Sequence, residues 1–226
     1  DVDGNDAVVV SLRVENPSSD IYSMKTKATP AEERALKNMY VYIFSKNGAL
    51  KGFAAFNGGL DQSTSDTEGK YGSITVRTIA GNSYIYAVAN VFQEGTYPLK
   101  TTMKDGINEA ITLSDGLPIN LSQEAVLKGN VNFTREQFLA LPSIRKPGTI
   151  QVSSSFLMTG AANRGNAVYI NKDGAISGNE DIIRLTRVVS KVRFNIGIAK
   201  GVTGKTFKAE KYSIVNVACT GPLFSS

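Results

Sequence analysis

The chain has 226 residues, of which 42% are hydrophobic and 20% are charged. This is the composition of a folded globular protein, and it excludes an intrinsically disordered chain. No stretch reaches the roughly 20 consecutive apolar residues that a membrane-spanning helix needs. The formal charge of +5 is the balance of 25 basic and 20 acidic residues. Because the basic residues do not cluster beside aromatic ones, we expect no nucleic-acid partner.

Histidine is absent, and Cys219 is the only cysteine. The chain therefore lacks the usual general base at neutral pH and the commonest metal ligand, and it cannot form an internal disulfide. It contains no Walker A loop, no dinucleotide-binding or nucleophile-elbow motif and no zinc-ligand spacing. The acidic stretch 61–68 lacks the ligand alternation of a calcium loop. We predict a protein that is not an enzyme, with no catalytic residue, no cofactor and no metal site.

Short alternating apolar runs, bounded by Gly, Asn, Asp, Ser and Pro, dominate the sequence and predict antiparallel strands with one buried face. Asn47-Gly48, Asp115-Gly116 and Asp173-Gly174 predict tight reversals, because these pairs tolerate positive φ values. The predicted strands cover residues 7–15, 39–45, 50–56, 71–79, 83–90, 109–113, 117–121, 126–133, 149–152, 167–170, 183–198 and 206–218.

Two short helices are predicted, each from its own cap. Thr29-Pro30-Ala31-Glu32 provides an N-cap hydroxyl, a proline at the first helical position and a glutamate that reaches back, which predicts a helix over residues 30–37. Thr134-Arg135-Glu136-Gln137 forms the same box with glutamine, and Pro142 ends this second helix. We expect both helices to connect strands on the surface of a β-sandwich.

A domain boundary is predicted near residue 155. Pro142, Pro147, Gly148 and the serines at 153–155 concentrate there, and such residues are typical of linkers. The chain is therefore expected to have an N-terminal β-sandwich over residues 1–155 and the start of a second β domain over residues 156–226.

Tyr84 and Tyr86 lie on one face of their predicted strand. Such a pair can form a stacking platform for a sugar, but it also fits a half-buried sheet face, which we favour.

Six segments in a fixed order carry a resemblance to a known family. They cover residues 7–14, the pair 38–44 and 47–48, and residues 84–90, 156–160, 183–192 and 212–217. In their order and spacing over nearly the whole chain they resemble the fimbrillin family of Bacteroidales, the subunits of the fimbriae called type V pili.

The resemblance implies two transthyretin-like antiparallel β-sandwich domains, the first with a donor-type first strand. Family members usually continue well past the segment matched by residues 212–217, so the second domain is expected to be incomplete. The resemblance also implies export to the cell surface as a lipoprotein, with an outer-membrane lipid anchor on the precursor. The implied function is that of a structural subunit of a fimbria, with other fimbrial subunits as partners.

In such subunits the first strand is cut away after an arginine in the following loop, and a strand of another subunit fills the groove. Carried onto this sequence, the removable strand is residues 7–15, and Val8, Val10, Leu12 and Val14 are the side chains expected to fill its pockets. The loop 16–28 contains no arginine, and Lys25 and Lys27 are its only basic residues. These two lysines are the candidate processing site; a solvated loop without a processing role is the alternative.

A second function stays open at this point. A surface lipoprotein with the same sandwiches can bind a glycan or a host protein without polymerising, through an exposed tyrosine such as Tyr84 or Tyr97.

Overall fold

The computed structural model describes residues 7–15, 36–57, 70–91, 117–144, 157–178 and 180–187, together with residues 204, 206, 220–222 and 224. The strands in these residues are β1 (Ala7–Glu15), β2 (Asn38–Ser45), β3 (Leu50–Asn57), β4 (Lys70–Ile79), β5 (Gly81–Ala89), β6 (Pro142–Ile144), β7 (Met158–Ala162), β8 (Val168–Ile170), β9 (Ile182–Arg187) and β10 (Thr220–Pro222). The helices are α1 (Gln123–Leu127), α2 (Arg135–Leu139) and a 3-10 turn, Asn163–Gly165.

Eight strands form one sheet in the order β3-β2-β5-β7-β9-β1-β4, with β8 paired to β5. β10 and β6 form a separate two-stranded sheet. The fold is mainly β, as predicted, but the large sheet is not purely antiparallel. β1 runs antiparallel to β4 and parallel to β9, the latter over Arg13–Glu15 and Ile182–Arg184. The strand that opens the described chain is therefore an interior strand of the sheet.

The sheet folds over into a β-sandwich whose main core lies between its layers. The inward faces of the strands contribute apolar side chains, and most of these are fully excluded from solvent, as expected for one face of each strand. The buried members of this core are Val10, Leu12, Val14, Leu36, Met39, Val41, Ile43, Ile74, Val76, Ile85, Ala87, Ala89, Met158, Ala162, Val168, Ile170, Ile183 and Leu185.

A second apolar cluster covers the outer face of β2 and β5. The Tyr42 and Phe138 ring centroids lie 4.9 Å apart, and the Tyr42 hydroxyl donates to the Pro118 carbonyl at 2.6 Å. Residues of α1, α2 and the segment before α1 complete the cluster, so these two strands are buried on both faces. Its buried members are Tyr40, Tyr42, Phe44, Leu50, Phe53, Tyr86, Val88, Val91, Leu117, Val126, Phe133, Phe138, Leu141 and Leu157.

The two strands at the ends of the sheet order, β3 and β4, lie against each other. The Thr78 hydroxyl donates to the Lys51 carbonyl at 3.1 Å. At Gly52 an added Cβ would lie 2.8 Å from Cβ of Thr78, so only glycine allows this approach. Nε2 of Gln123 in α1 donates to the Phe53 carbonyl at 3.2 Å. These contacts occupy two backbone acceptors of β3.

Most predicted strands in the described residues are present, with ends shifted by one or two residues. β1 to β5 and β8 match their predictions, and β9 matches the first part of 183–198. The predicted strands 109–113 and 149–152 lie outside the described residues, as does nearly all of 206–218.

The predicted strands at 117–121 and 126–133 are wrong. Residues 117–121 have no strand structure, and Leu117 is buried in the second cluster instead. Ser122 caps α1 by accepting from the Ala125 N–H, and Val126 and Leu127 are buried from a helix, not from a strand. Because α1 is too short to show a helical period, its apolar spacing resembles the alternation of a strand.

The predicted helix at Thr134 is confirmed, together with its box. The Thr134 hydroxyl accepts from the Gln137 N–H, and the Gln137 side chain accepts from the Thr134 N–H. The helix predicted over 30–37 falls mostly outside the described residues, and Leu36 and Lys37 at its end are not helical.

The strands that follow residue 155 do not start a separate sheet in the described part of the chain. β7 pairs with β5 and with β9, and β9 pairs with β1. Residues 157–187 thus add strands to the sheet that contains β1 to β5. The domain boundary near residue 155 stays a prediction. A second domain over the remaining residues, nearly all outside the described ranges, stays a prediction.

Candidate assembly strand and its groove

β1 has the burial pattern that its sequence predicts. Val10, Leu12 and Val14 are 0%, 0% and 1% exposed, whereas Val9 is 56% exposed. Val8 is partly buried and packs against the same core. The four side chains proposed from the sequence therefore share the inner face of β1, as alternation along a strand requires.

The two edges of β1 are paired to different extents. On one side all nine residues, Ala7–Glu15, are in register with β4, with a shift between Val14 and Glu15. On the other side only Arg13–Glu15 pair with β9. The Arg13 N–H also donates to the Asp181 carbonyl at 3.0 Å, just before β9 begins. The C-terminal third of β1 is thus held on both edges.

A tight loop after β8 lies against the other part of this second edge. An added Cβ on Gly174 would lie 2.0 Å from the Val9 carbonyl oxygen, and Gly174 has a φ of +84°. The loop is fixed by the Ala175 N–H, which donates to the Asp173 carboxylate at 2.9 Å, and by a bridge between Ile170 and Ile176. The reversal predicted from Asp173-Gly174 is therefore confirmed, and its glycine permits close backbone contact with β1.

Two ion pairs join β1 to β9 and to Asp181, the residue before β9. In the first pair the basic residue belongs to β1, and in the second pair the acidic residue belongs to β1. Arg13 donates to both oxygens of Asp181, through Nε at 2.7 Å and Nη2 at 2.7 Å. Two residues after Arg13 on β1, the Glu15 carboxylate accepts a hydrogen bond from Nε of Arg184 at 2.9 Å. The hydrogen bond from Arg13 lowers the pKa of Asp181 below its usual value, and the same contact raises the pKa of Arg13. The lowered pKa of Asp181 and the raised pKa of Arg13 keep this pair charged at neutral pH.

A family model described as the major fimbrial subunit protein (FimA) matches residues 8–176, well over half of the chain. The chain belongs to the FimA family. The match includes β1 from Val8 onward and ends at the loop that contacts it. This family consists of structural fimbrial proteins of the cell surface and not of enzymes, in agreement with the resemblance seen in the sequence.

Several solved fimbrial proteins are similar to this chain at low sequence identity. A fimbrial assembly protein from Parabacteroides distasonis is 17% identical, with 80% of this chain and 53% of that chain covered and a TM-score of 0.44. The tip fimbrial protein Mfa3 from Porphyromonas gingivalis is 11% identical, with 80% and 48% covered and a TM-score of 0.41. A fimbrilin (FimA) from Porphyromonas gingivalis W83 is 12% identical, with 80% and 40% covered and a TM-score of 0.42.

The chain spans about half the length of these solved proteins. No curated protein matches its sequence. Within the described ranges, no helix of this FimA-family chain combines the length and hydrophobicity needed to cross a bilayer.

The tyrosine pair of β5 is covered by an arginine. The guanidinium of Arg135 lies 3.8 Å from the centroid of the Tyr84 ring, and its Nε donates to the Tyr86 hydroxyl at 2.9 Å. Tyr86 is buried, and burial raises its pKa. The pair therefore lies on a half-buried face of this FimA-family sheet, and Arg135 occupies one face of the Tyr84 ring.

The other proposed residues cannot be placed. Lys25, Lys27 and Tyr97 lie outside the described residues. In the part of the chain that the structure describes, no group of three or more acidic or cysteine side chains is arranged to hold a metal ion.

Sequence reasoning missed the partners of β1. Asp181, Arg184 and Gly174 are brought to β1 by the parallel pairing with β9 and by the loop after β8. No local signal identifies Arg13 and Asp181 as partners, because they are 168 residues apart.

Proposed function

We propose that this FimA-family chain is a structural subunit of a cell-surface fimbria that assembles by β-strand exchange, in which β1 is removed and a strand of another subunit takes its place. The observation that carries the proposal is the position of β1. It is an interior strand with Val10, Leu12 and Val14 fully buried. Residues 16–35 follow β1, and cleavage of one peptide bond among them disconnects β1 from the strands that follow.

Loss of β1 creates a surface that needs a new strand. The backbone N–H and C=O groups of β4 that now pair with β1 lose their partners, and each buried unpaired group costs on the order of 1–3 kcal/mol. The core loses the four apolar side chains on the inner face of β1 at the same time. An incoming strand restores the backbone ladder and fills the pockets with alternate side chains, which is strand addition at an open sheet position.

The partners in this proposal are other fimbrial subunits. We propose in addition that the chain reaches the surface as an exported lipoprotein whose precursor is anchored in the outer membrane. Family membership and the resemblance of the sequence support both statements.

The test is limited cleavage of the purified chain with a lysine-specific protease. We expect a cut at Lys25 or Lys27 and loss of residues 7–15, followed by formation of oligomers once other fimbrial subunits are added. Intact mass and light scattering would detect these steps. The matched control is Lys25→Gln with Lys27→Gln, which should stay monomeric under the same treatment. A cut chain that keeps its first strand and remains monomeric in the presence of other fimbrial subunits would contradict the proposal.

Binding of a glycan or a host protein without polymerisation is the alternative, and no feature of the described residues favours it. Arg135 covers the Tyr84 ring, and Tyr97 lies outside the described ranges. Saturable binding on a glycan array, lost on changing Tyr97 to alanine, would support the alternative.

A further inference from the structure

Two charges of opposite sign, on Asp181 and Arg184, lie beside the exposed face of β1, and we infer that they select the strand that replaces β1. The selected strand has a basic residue at the position of Arg13 and an acidic residue at the position of Glu15, combined with apolar residues at the positions of Val10, Leu12 and Val14. This inference rests on the proposed strand exchange and specifies the partner that it requires.

The charges stay with the subunit when β1 leaves. Asp181 and Arg184 belong to β9 and the residue before it, whereas Arg13 and Glu15 belong to β1. Departure of β1 therefore removes the bidentate partner of Asp181 and the partner of Arg184. An acidic residue at the position of Arg13, or a basic one at that of Glu15, would meet a like charge in the groove, which disfavours the wrong strand more than it stabilises the right one.

Backbone pairing with β4 and β9 fixes the direction in which the replacing strand runs. β1 runs parallel to β9 and antiparallel to β4, and the two edges of the groove retain these directions after β1 has gone. In this direction the basic position precedes the acidic one by two residues. A strand inserted in the same register but in the opposite direction would reverse the order of its charges. The ion pairs therefore select direction as well as composition.

Within the 226 residues, only β1 itself has this pattern. No other stretch has apolar side chains at three alternate positions with a basic residue between the second and third and an acidic residue directly after the third. Residues 16–226 of a second copy therefore offer no matching strand. The selected partner is a strand from outside these residues that carries the pattern of Val10–Glu15.

The test uses the full chain with a specific protease site inserted in loop 16–28, cut while β1 is still in place. Two fluorescent nine-residue peptides compete for the groove. One has the sequence of residues 7–15, and the other has Arg13 and Glu15 interchanged, so that their compositions and apolar residues are identical. We expect the first to enter with on the order of tenfold preference at low salt. The preference should fall in 1 M salt, because exposed ion pairs are screened.

The receptor provides the complementary measurement. Asp181→Arg combined with Arg184→Asp reverses both fixed charges, and we expect this variant to prefer the interchanged peptide. The matched control is Glu124→Lys combined with Lys128→Glu. It reverses the exposed ion pair of α1, in which Nζ of Lys128 lies 2.7 Å from the Glu124 carboxylate, and it should leave the preference unchanged. All four positions carry polar side chains, and circular dichroism of each variant checks that it is folded.

Each outcome has a distinct meaning. If neither peptide enters the cut chain, strand exchange itself is wrong, and the charge selection is wrong with it. If both peptides enter equally well, strand exchange stands and the charge selection is overturned. If the charge-reversed receptor keeps the preference of the natural one, the selection does not come from Asp181 and Arg184, and the inference is likewise overturned.

Discussion

Gly174 allows the loop after β8 to lie against β1 because it has no Cβ atom. Its backbone has a φ of +84°, which disfavours any side chain, and an added Cβ would lie 2.0 Å from the Val9 carbonyl oxygen. The Val9 carbonyl belongs to the backbone and cannot turn aside as a side chain can. A substitution at this position must therefore move the loop, β1 or both.

We expect Gly174→Ala to lower the free energy of unfolding by at least about 2 kcal/mol, because conformational strain and the backbone clash add. Gly178 is the matched control. It has a φ of +68° with no atom within 4 Å of an added Cβ, so Gly178→Ala should cost only about 1 kcal/mol. Urea unfolding of both variants measures the difference, and equal losses would show that the contact with Val9 is unimportant.

At the scale of the element, β1 shows what a sequence can and cannot predict. Its alternation identified the buried face, because every second residue from Val8 to Val14 is apolar and the strand has one wet face. Its pairing with β9 was not predictable, because a parallel partner at a separation of 168 residues leaves no local signal. The face of the candidate site was thus predicted, whereas the charges and the loop at its edge were not.

Of the two α-helices, one was predicted from the sequence and the other was not. α2 was predicted because the reciprocal hydrogen bonds of Thr134 and Gln137 require two residue types at a fixed spacing. α1 was missed because its five residues contain less than two helical turns, so Val126 and Leu127 resemble an apolar strand. The sequence signal that indicates α1 is Ser122, an N-cap residue type directly before Gln123 and Glu124.

We expect Leu12→Ala to destabilise the protein by about 2–5 kcal/mol, because Leu12 is fully buried in the core that β1 shares with both layers. Val9→Ala on the outer face of the same strand should change stability by less than about 0.5 kcal/mol. Thermal and urea unfolding measure both. Similar losses for the two variants would contradict the assignment of inner and outer faces.

At the scale of the whole molecule, Lys51 lies where the sandwich closes. It is 8% exposed, and its ammonium donates to the carbonyls of Ala80 and Gly81 at 3.3 and 3.4 Å. Burial lowers the pKa of Lys51 to about 8 from the ordinary value of 10.5. The charged form is therefore less favourable in the folded protein than in the unfolded chain.

The consequence is a stability that depends on pH in the alkaline range. Between pH 8 and pH 10.5 the unfolded chain binds more protons at Lys51 than the folded protein does, so stability contributed by this residue rises with pH. We expect Lys51→Met to be more stable than the natural chain by about 1 kcal/mol at pH 7, since solvent screens part of the burial cost. This advantage should shrink as the pH is raised towards 10.

The control for this measurement is Lys46→Met, at an exposed lysine in the turn before β3, which should change stability by less than about 0.5 kcal/mol at either pH. Comparison of each variant with the natural chain at the same pH cancels the contribution of the buried tyrosines, which titrate at higher pH. An advantage of Lys51→Met that stays constant from pH 7 to pH 10 would contradict the lowered pKa.

The way in which β3 ends the sheet limits how such subunits can associate. Its Lys51 and Phe53 carbonyls already accept hydrogen bonds from Thr78 and Gln123, and β4 lies against it. A neighbouring molecule therefore finds these two acceptors occupied at the flank and cannot extend the sheet sideways through them. Under the proposed strand exchange, growth directed to the position of β1 would produce a thin thread of single subunits instead of a ribbon or a clump.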